Sequence, residues 1–262
     1  MEKLPARTGW FWVREGFRLF RRQPAEVSTL FLAYALLMIL LGVVPLLGQI
    51  LPLLLVPVFA IAFMEAGRQL DQGQRVTPAL LLTGFRSPMR RELLKLGVLY
   101  LVAALLAAGV AMLVDDGTYW KMLTQSDQVS AKEMQNSNVG ITVMSAAAIY
   151  GLATLCLWFA APLIAWQGMK VGKAVFYSFF AVRYNMGAFL AYGMAWAGLA
   201  LLPSIASSVV AILFGQAFIA RALAMSLLLV LVVVLHCSFY PSYAGVFGKR
   251  EAGSADPPRL PG

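Results

Sequence analysis

Groups capable of chemistry are scarce in this chain. Its 262 residues include one histidine, His236, and two cysteines, Cys156 and Cys237. A zinc site needs three or four ligands converging at fixed spacing, which this set does not offer. A Ser-His-Asp order cannot be built around a lone histidine inside an apolar run, and neither a Walker nor a dinucleotide glycine pattern occurs. Phosphate hydrolysis wants clustered carboxylates or metal ligands, whereas Asp115, Asp116, Asp127 and Glu133 are scattered in a polar stretch. No enzymatic activity and no cofactor are expected, and no residue is assigned a catalytic or metal-binding role. Charge is scarce as well. Charged residues make up 13% of the chain and hydrophobic ones 60%. A soluble domain usually carries about 25% charged residues. So little charge cannot cover a water-soluble surface, so lipid must cover much of it.

What is abundant is long apolar sequence. A bilayer core of roughly 30 Å needs about 20 apolar residues per helix. Six stretches qualify: about 27–46, 49–68, 93–114, 140–164, 187–213 and 220–245. Val27 to Leu47 contains no charge, and Leu227 to Leu235 is unbroken aliphatic sequence. A β-barrel would alternate polar and apolar residues in segments of roughly ten. These runs are continuous, so helices are expected. Arg14, Arg18, Arg21 and Arg22 precede a full-length span with no short apolar region and small-residue exit, so the first helix is not read as a cleavable signal.

The basic residues divide unequally between the two sides of these spans. Of 21 Lys and Arg, 18 fall before span one, between spans two and three, between four and five, or after six. Only Lys121, Lys132 and Arg221 fall on the other side. Lys and Arg accumulate in short cytoplasmic loops, so both termini are expected inside. The net charge of +9 then needs no nucleic acid to explain it, because the same charges attract anionic headgroups. The first connection, near Pro45 to Pro52, is short and uncharged and predicts a tight hairpin. The longest connection, Asp115 to Asn138, contains Tyr119 and Trp120, which read as interfacial anchors. The tail 249–262 is expected to be disordered.

An internal repeat runs through the basic segments. Gly73-Gln-Arg-Val-Thr-Pro-Ala79 to Phe85 and Gly168-Met-Lys-Val-Gly-Lys-Ala174 to Phe180 both fit G-x-[RK]-V-x-x-A-x-x-x-[ST]-x-F without a gap. A weaker echo aligns Gly16–Gln23 with Ser178–Asn185. Self-similarity of this kind predicts one unit used three times: a short amphipathic cytoplasmic interfacial helix, then a transmembrane hairpin. The fold class expected is therefore an all-α integral membrane protein with six transmembrane helices as three hairpins. Residues 1–26 form its amphipathic segment and 27–248 its transmembrane domain. In the first unit Trp10, Phe17 and Phe20 would enter the headgroup boundary while Arg14, Arg18 and Arg21 face water and phosphate.

The segments Trp12-Val-Arg-Glu-Gly16-Phe17, Phe20-Arg-Arg-Gln-Pro24 and Leu70-Asp-Gln-Gly73-Gln-Arg-Val76-Thr-Pro78 resemble a family of uncharacterised six-span proteins of proteobacterial inner membranes. The resemblance covers about residues 8–248. The chain is similar, more distantly, to the membrane domain attached to some glycerophosphodiester phosphodiesterases. It implies an inner-membrane location and supplies no catalytic residues.

Candidate contacts follow from charge and polarity. Arg14, Arg18, Arg21, Arg22, Arg86, Arg90 and Arg91 are candidates for lipid headgroups. Inside the spans, His236 reads as a hydrogen-bonding packing residue, with a proton or ligand role as the alternative. Cys156 and Cys237 read as core residues unless spans four and six bring them together. Glu65 and Arg68 read as an ion pair near the end of span two. Pro203-Ser204 and Ser207-Ser208 predict a kink in span five, or a break lining a polar cavity with Tyr192 and His236. Small residues, Ala103, Ala107 and Ala111 in span three and Ala191 and Ala195 in span five, predict a packed centre of spans three to five, with span six facing lipid. The function these features favour is a non-enzymatic envelope scaffold or accessory binding anionic phospholipid, a membrane-protein partner or a second copy of itself. The alternative is a transporter or channel for a small or lipid-like solute.

Overall fold

The computed structural model describes residues 3–45, 47–48, 50–114, 139–214 and 217–248. Among them all regular structure is helical. The amino-terminal helix α1 is Arg7–Arg22. Pro24 ends it and opens α2, Pro24–Gly42, where its missing N–H costs nothing in the first turn. Helix α3 is Leu51–Asp71. A 3-10 turn, Pro78–Leu82, and the short α4, Thr83–Arg86, lead to α5, Arg90–Val114. Then follow α6 (Val139–Leu157), α7 (Ala160–Gln167), α8 (Val171–Tyr184), α9 (Met186–Phe214) and α10 (Ala217–Phe247). Six helical segments are long and apolar enough to cross a membrane, the fourth being α6 and α7 together. Tyr119, Trp120 and the tail after Gly248 lie outside the described residues.

The break in the spans falls where the sequence reading did not place it. Helix α9 continues through Pro203 without a break, and the Ser208 hydroxyl donates back to the Ser204 carbonyl at 2.9 Å. Span four is interrupted instead, at Trp158 and Phe159. Pro162 stands in the first turn of α7, a position that tolerates its missing N–H. The Phe159 N–H leaves the helical ladder and donates to Ser178 Oγ on α8 at 2.9 Å, so the broken turn leaves no buried orphan there.

The three repeat segments each seat on a hairpin that is not their own. The 3-10 turn and α4 pack on α2 and α3. Helix α8 packs on α6 and α7, and α1 packs on α9 and α10. Unit two thus rests on hairpin one, unit three on hairpin two, and unit one on hairpin three, which closes a ring. The repeat is also visible in the backbone. The positive-φ glycines Gly73 (72°), Gly168 (64°) and Gly248 (84°) follow α3, α7 and α10, the last helix of each hairpin. That left-handed conformation is the usual way to stop a helix without a Cβ clash.

The packed centre is α3 with the ends of spans four and six, not spans three to five. Half of the α3 apolar window is buried, against 6% for that of α9. Ala103, Ala107 and Ala111 do pack inward. Gly193, Ala197 and Gly198 point outward. The first half of α10, Leu223 to Val230, is largely exposed, while Val233 to Ser242 is mostly buried. Cys156 and Cys237 are both free thiols.

Candidate functional site

The basic segments meet at one end of the bundle. The Leu4 N–H donates to Asn185 Oδ1 at 3.0 Å, joining the start of the chain to the start of α9. Gln23 ties α1 to the connection after α3: its Nε2 donates to the Gln74 carbonyl at 2.7 Å and its Oε1 accepts from the Val76 N–H at 2.9 Å. The Val171 N–H donates to Glu92 Oε2 at 2.9 Å, and Gln167 Nε2 to the Tyr243 hydroxyl at 3.0 Å. Ends of α3, α5, α7, α9 and α10 are thereby linked.

Helix α1 is sunk into this end. A Cβ at Gly9 would lie 2.1 Å from the Ala188 carbonyl oxygen, and one at Gly16 would lie 2.7 Å from Ser238 Cβ. Glycine alone allows helices to pass this closely. Between these crossings Trp12 is wholly buried, edge-on to Phe189 and Tyr192. The face expected to enter the headgroups is therefore shared with the protein. Phe17 stacks on Trp196 at 6.3 Å, and Phe20 is half-buried. Trp10 and Phe11 remain more than half exposed, and with Pro5, Arg7, Thr8 and Arg14 they line an open groove.

The arginines expected to meet headgroups divide into two sets. Arg18 and Arg22 are engaged within the protein. Arg18 Nε donates to Glu15 Oε2 at 2.7 Å, and Nη2 reaches Asp71 Oδ1 at 3.1 Å. These contacts, that with Glu15 first, hold the guanidinium pKa above its ordinary value despite partial burial. Arg22 Nη1 donates to the carbonyls of Leu70 and Asp71 at 2.5 and 3.0 Å, adding to the Gly73 N–H that the Leu70 carbonyl already accepts. Arg14, Arg21, Arg86, Arg90 and Arg91 are exposed and have no ion pair among the described residues. Glu65 and Arg68 form the ion pair the sequence suggests.

A cleft of about 170 Å³ opens beside this network, between α1, the end of α3 and α10. Its polar wall is Glu15, Arg18 and Asp71, and its apolar wall includes Phe11, Leu19 and Ala244. The i,i+3 spacing of Glu15 and Arg18 is legible in the sequence. Asp71 is 53 residues from Arg18, and no periodicity signals that pairing.

The four residues expected around a polar cavity are not brought together. The Tyr192 hydroxyl is buried and bonded to Ser238 Oγ at 2.6 Å, under the rings of Trp12 and Trp158. His236 packs among Phe31, Phe63 and Phe239, and its Nδ1 faces the Val232 carbonyl at 2.8 Å. Ser204 is exposed and Ser207 half-exposed, 12 and 15 residues along α9 from Tyr192. At 1.5 Å per residue that is about 18 Å or more. Tyr192 and His236 find single neighbours inside the packing, which polarity along the sequence does not reveal.

The chain is 36% identical over 264 residues to a probable inner membrane protein of Burkholderia thailandensis, covering 99% of this chain and 97% of the relative. No family model matches the chain. No solved structure matches it.

Proposed function

This chain belongs to the family of that inner membrane protein, and we propose that it is a non-enzymatic envelope scaffold or accessory whose basic end binds anionic phospholipid and a protein partner. The reading places both termini on the cytoplasmic side, because 18 of the 21 basic residues lie at that end. The observation that carries it is the set of exposed arginines, without an ion pair among the described residues, beside exposed aromatic rings on a rigidly seated helix. Arg14 flanks Trp10 and Phe11, while Arg86 ends α4 and Arg90 and Arg91 open α5, just after the second repeat segment. A basic residue near an anionic membrane surface contributes about 1 kcal/mol, and an amphipathic ring sits well at headgroup depth. The alternative, a transporter or channel, was tied to a polar cavity at Tyr192, Ser204, Ser207 and His236, and those side chains sit apart.

The test uses the full chain in detergent, with native mass spectrometry of retained lipid. Wild type should keep phosphatidylglycerol in preference to phosphatidylcholine. Replacing Arg14 and Arg21 together by Gln should cut that retention by about tenfold or more, as two surface charges are lost. Equal retention of the two lipids by wild type would sink the reading.

A further inference from the structure

We infer that the cleft between α1, α3 and α10 is a binding site for the headgroup of a zwitterionic aminophospholipid, with the ammonium at Glu15 and the phosphate at Arg18. The inference extends the lipid-binding reading above to a second lipid class and a separate site.

The charges of the cleft are already set in that order. Glu15 Oε2 takes both Arg18 Nε and Nη2, at 2.7 and 2.5 Å. Neither Glu15 Oε1 nor Arg18 Nη1 has a partner among the described residues. One acceptor edge and one donor nitrogen are thus left on a pair that is already held in place. A guanidinium presents five N–H donors in a rigid fork, so the pair uses only part of its capacity. A headgroup that carries both charges on one short linker meets both atoms, whereas a purely anionic one faces the carboxylates as well.

Depth in the membrane agrees. Helix α3 has 21 residues, a length of about 31 Å, close to the hydrocarbon thickness. Asp71, its last residue, therefore sits at the headgroup level. Phe11, Leu19 and Ala244 give the same cleft an apolar wall, against which the first carbons of acyl chains would lie. A cavity of about 170 Å³ has room for a headgroup and not for a whole lipid.

The discriminating probe is phosphatidylethanolamine against phosphatidylcholine. Both are zwitterionic, but the choline nitrogen has no N–H to give a carboxylate. Retention on the full-length protein is read by native mass spectrometry, with phosphatidylglycerol as a third arm. Wild type should prefer phosphatidylethanolamine over phosphatidylcholine by about tenfold, the worth of one charge-assisted hydrogen bond. Glu15→Gln should bring that ratio close to one and leave phosphatidylglycerol retention unchanged. Ala244→Leu, which fills the cleft and keeps the charge network, should abolish the preference too. A wild-type ratio near one, or a ratio that survives both substitutions, would overturn the inference. Phosphatidylglycerol retention that ignores Arg14 and Arg21 would instead sink the earlier reading alone.

Discussion

Gly9 and Gly16 stand seven residues apart on α1, about two turns, and each marks the point where another helix passes. At Gly9 the obstacle is backbone of α9, which cannot swing aside as a side-chain tip can. Gly9→Leu should therefore cost more than the 1–3 kcal/mol typical of an overpacked core, at about 3 kcal/mol or above. It should show as early aggregation in a thermal ramp of the purified protein, with Arg7→Gln on the exposed face as an unaffected control. The residue scale is also where reading by chemical type fails most. His236 and Tyr192 look like the start of a polar path, yet His236 Nδ1 and the Tyr192 hydroxyl each meet one neighbour and both rings pack among aromatics. Such groups are satisfied singly, and a sequence does not show which neighbour does it.

At the scale of elements, the repeated segments differ in how much helix they form. Segments one and three are the helices α1 and α8, while segment two is a 3-10 turn and a single turn of helix. Pro78 starts the second only after the extended Thr77, and Ser87-Pro88 ends it. The short element still seats tightly, since a Cβ at Gly84 would lie 2.2 Å from the Val58 carbonyl oxygen. Gly73 stops α3, and Arg22 of α1 ties that end down. Arg22→Ala removes the side-chain donor to Leu70 and Asp71 and should cost about 1.5–3 kcal/mol, the usual worth of a hydrogen bond to a charged group. Hydrogen exchange should rise at residues 71 to 76 and stay unchanged in α9. Uniform exchange across both would refute this role.

Across the whole molecule, the first 22 residues complete the third hairpin. Helix α1 covers α9 and α10, so the chain's beginning and end are held together through Gly9, Gly16 and Trp12. Sidedness is a separate matter, for which the distribution of Lys and Arg makes a testable prediction. A Gln125→Cys variant should react with an impermeant thiol reagent from outside intact cells, and an Ala255→Cys variant should not. The opposite pattern would overturn the cytoplasmic assignment of the termini.

The apolar runs by themselves determined that the chain is an all-helical membrane protein with six spans. In hydrocarbon an unpaired backbone group is too costly for anything but a helix or a closed barrel. The amino-acid order also determined the repeat, and its glycines Gly73 and Gly168 stand where α3 and α7 end in positive φ, a conformation that glycine adopts without a Cβ clash. Only the tertiary structure decided which faces are buried. Ala103 and Ala107 pack inward while Gly193 and Ala197 face outward, and a small residue suits both a close helix contact and a lipid-facing surface. The same holds for the arginines. Arg14 and Arg18 lie four residues apart on one helix, yet only Arg18 meets Asp71, brought there by a helix that begins 33 residues further on. Charge at a position follows from the residue, whereas its use depends on what the fold sets opposite it.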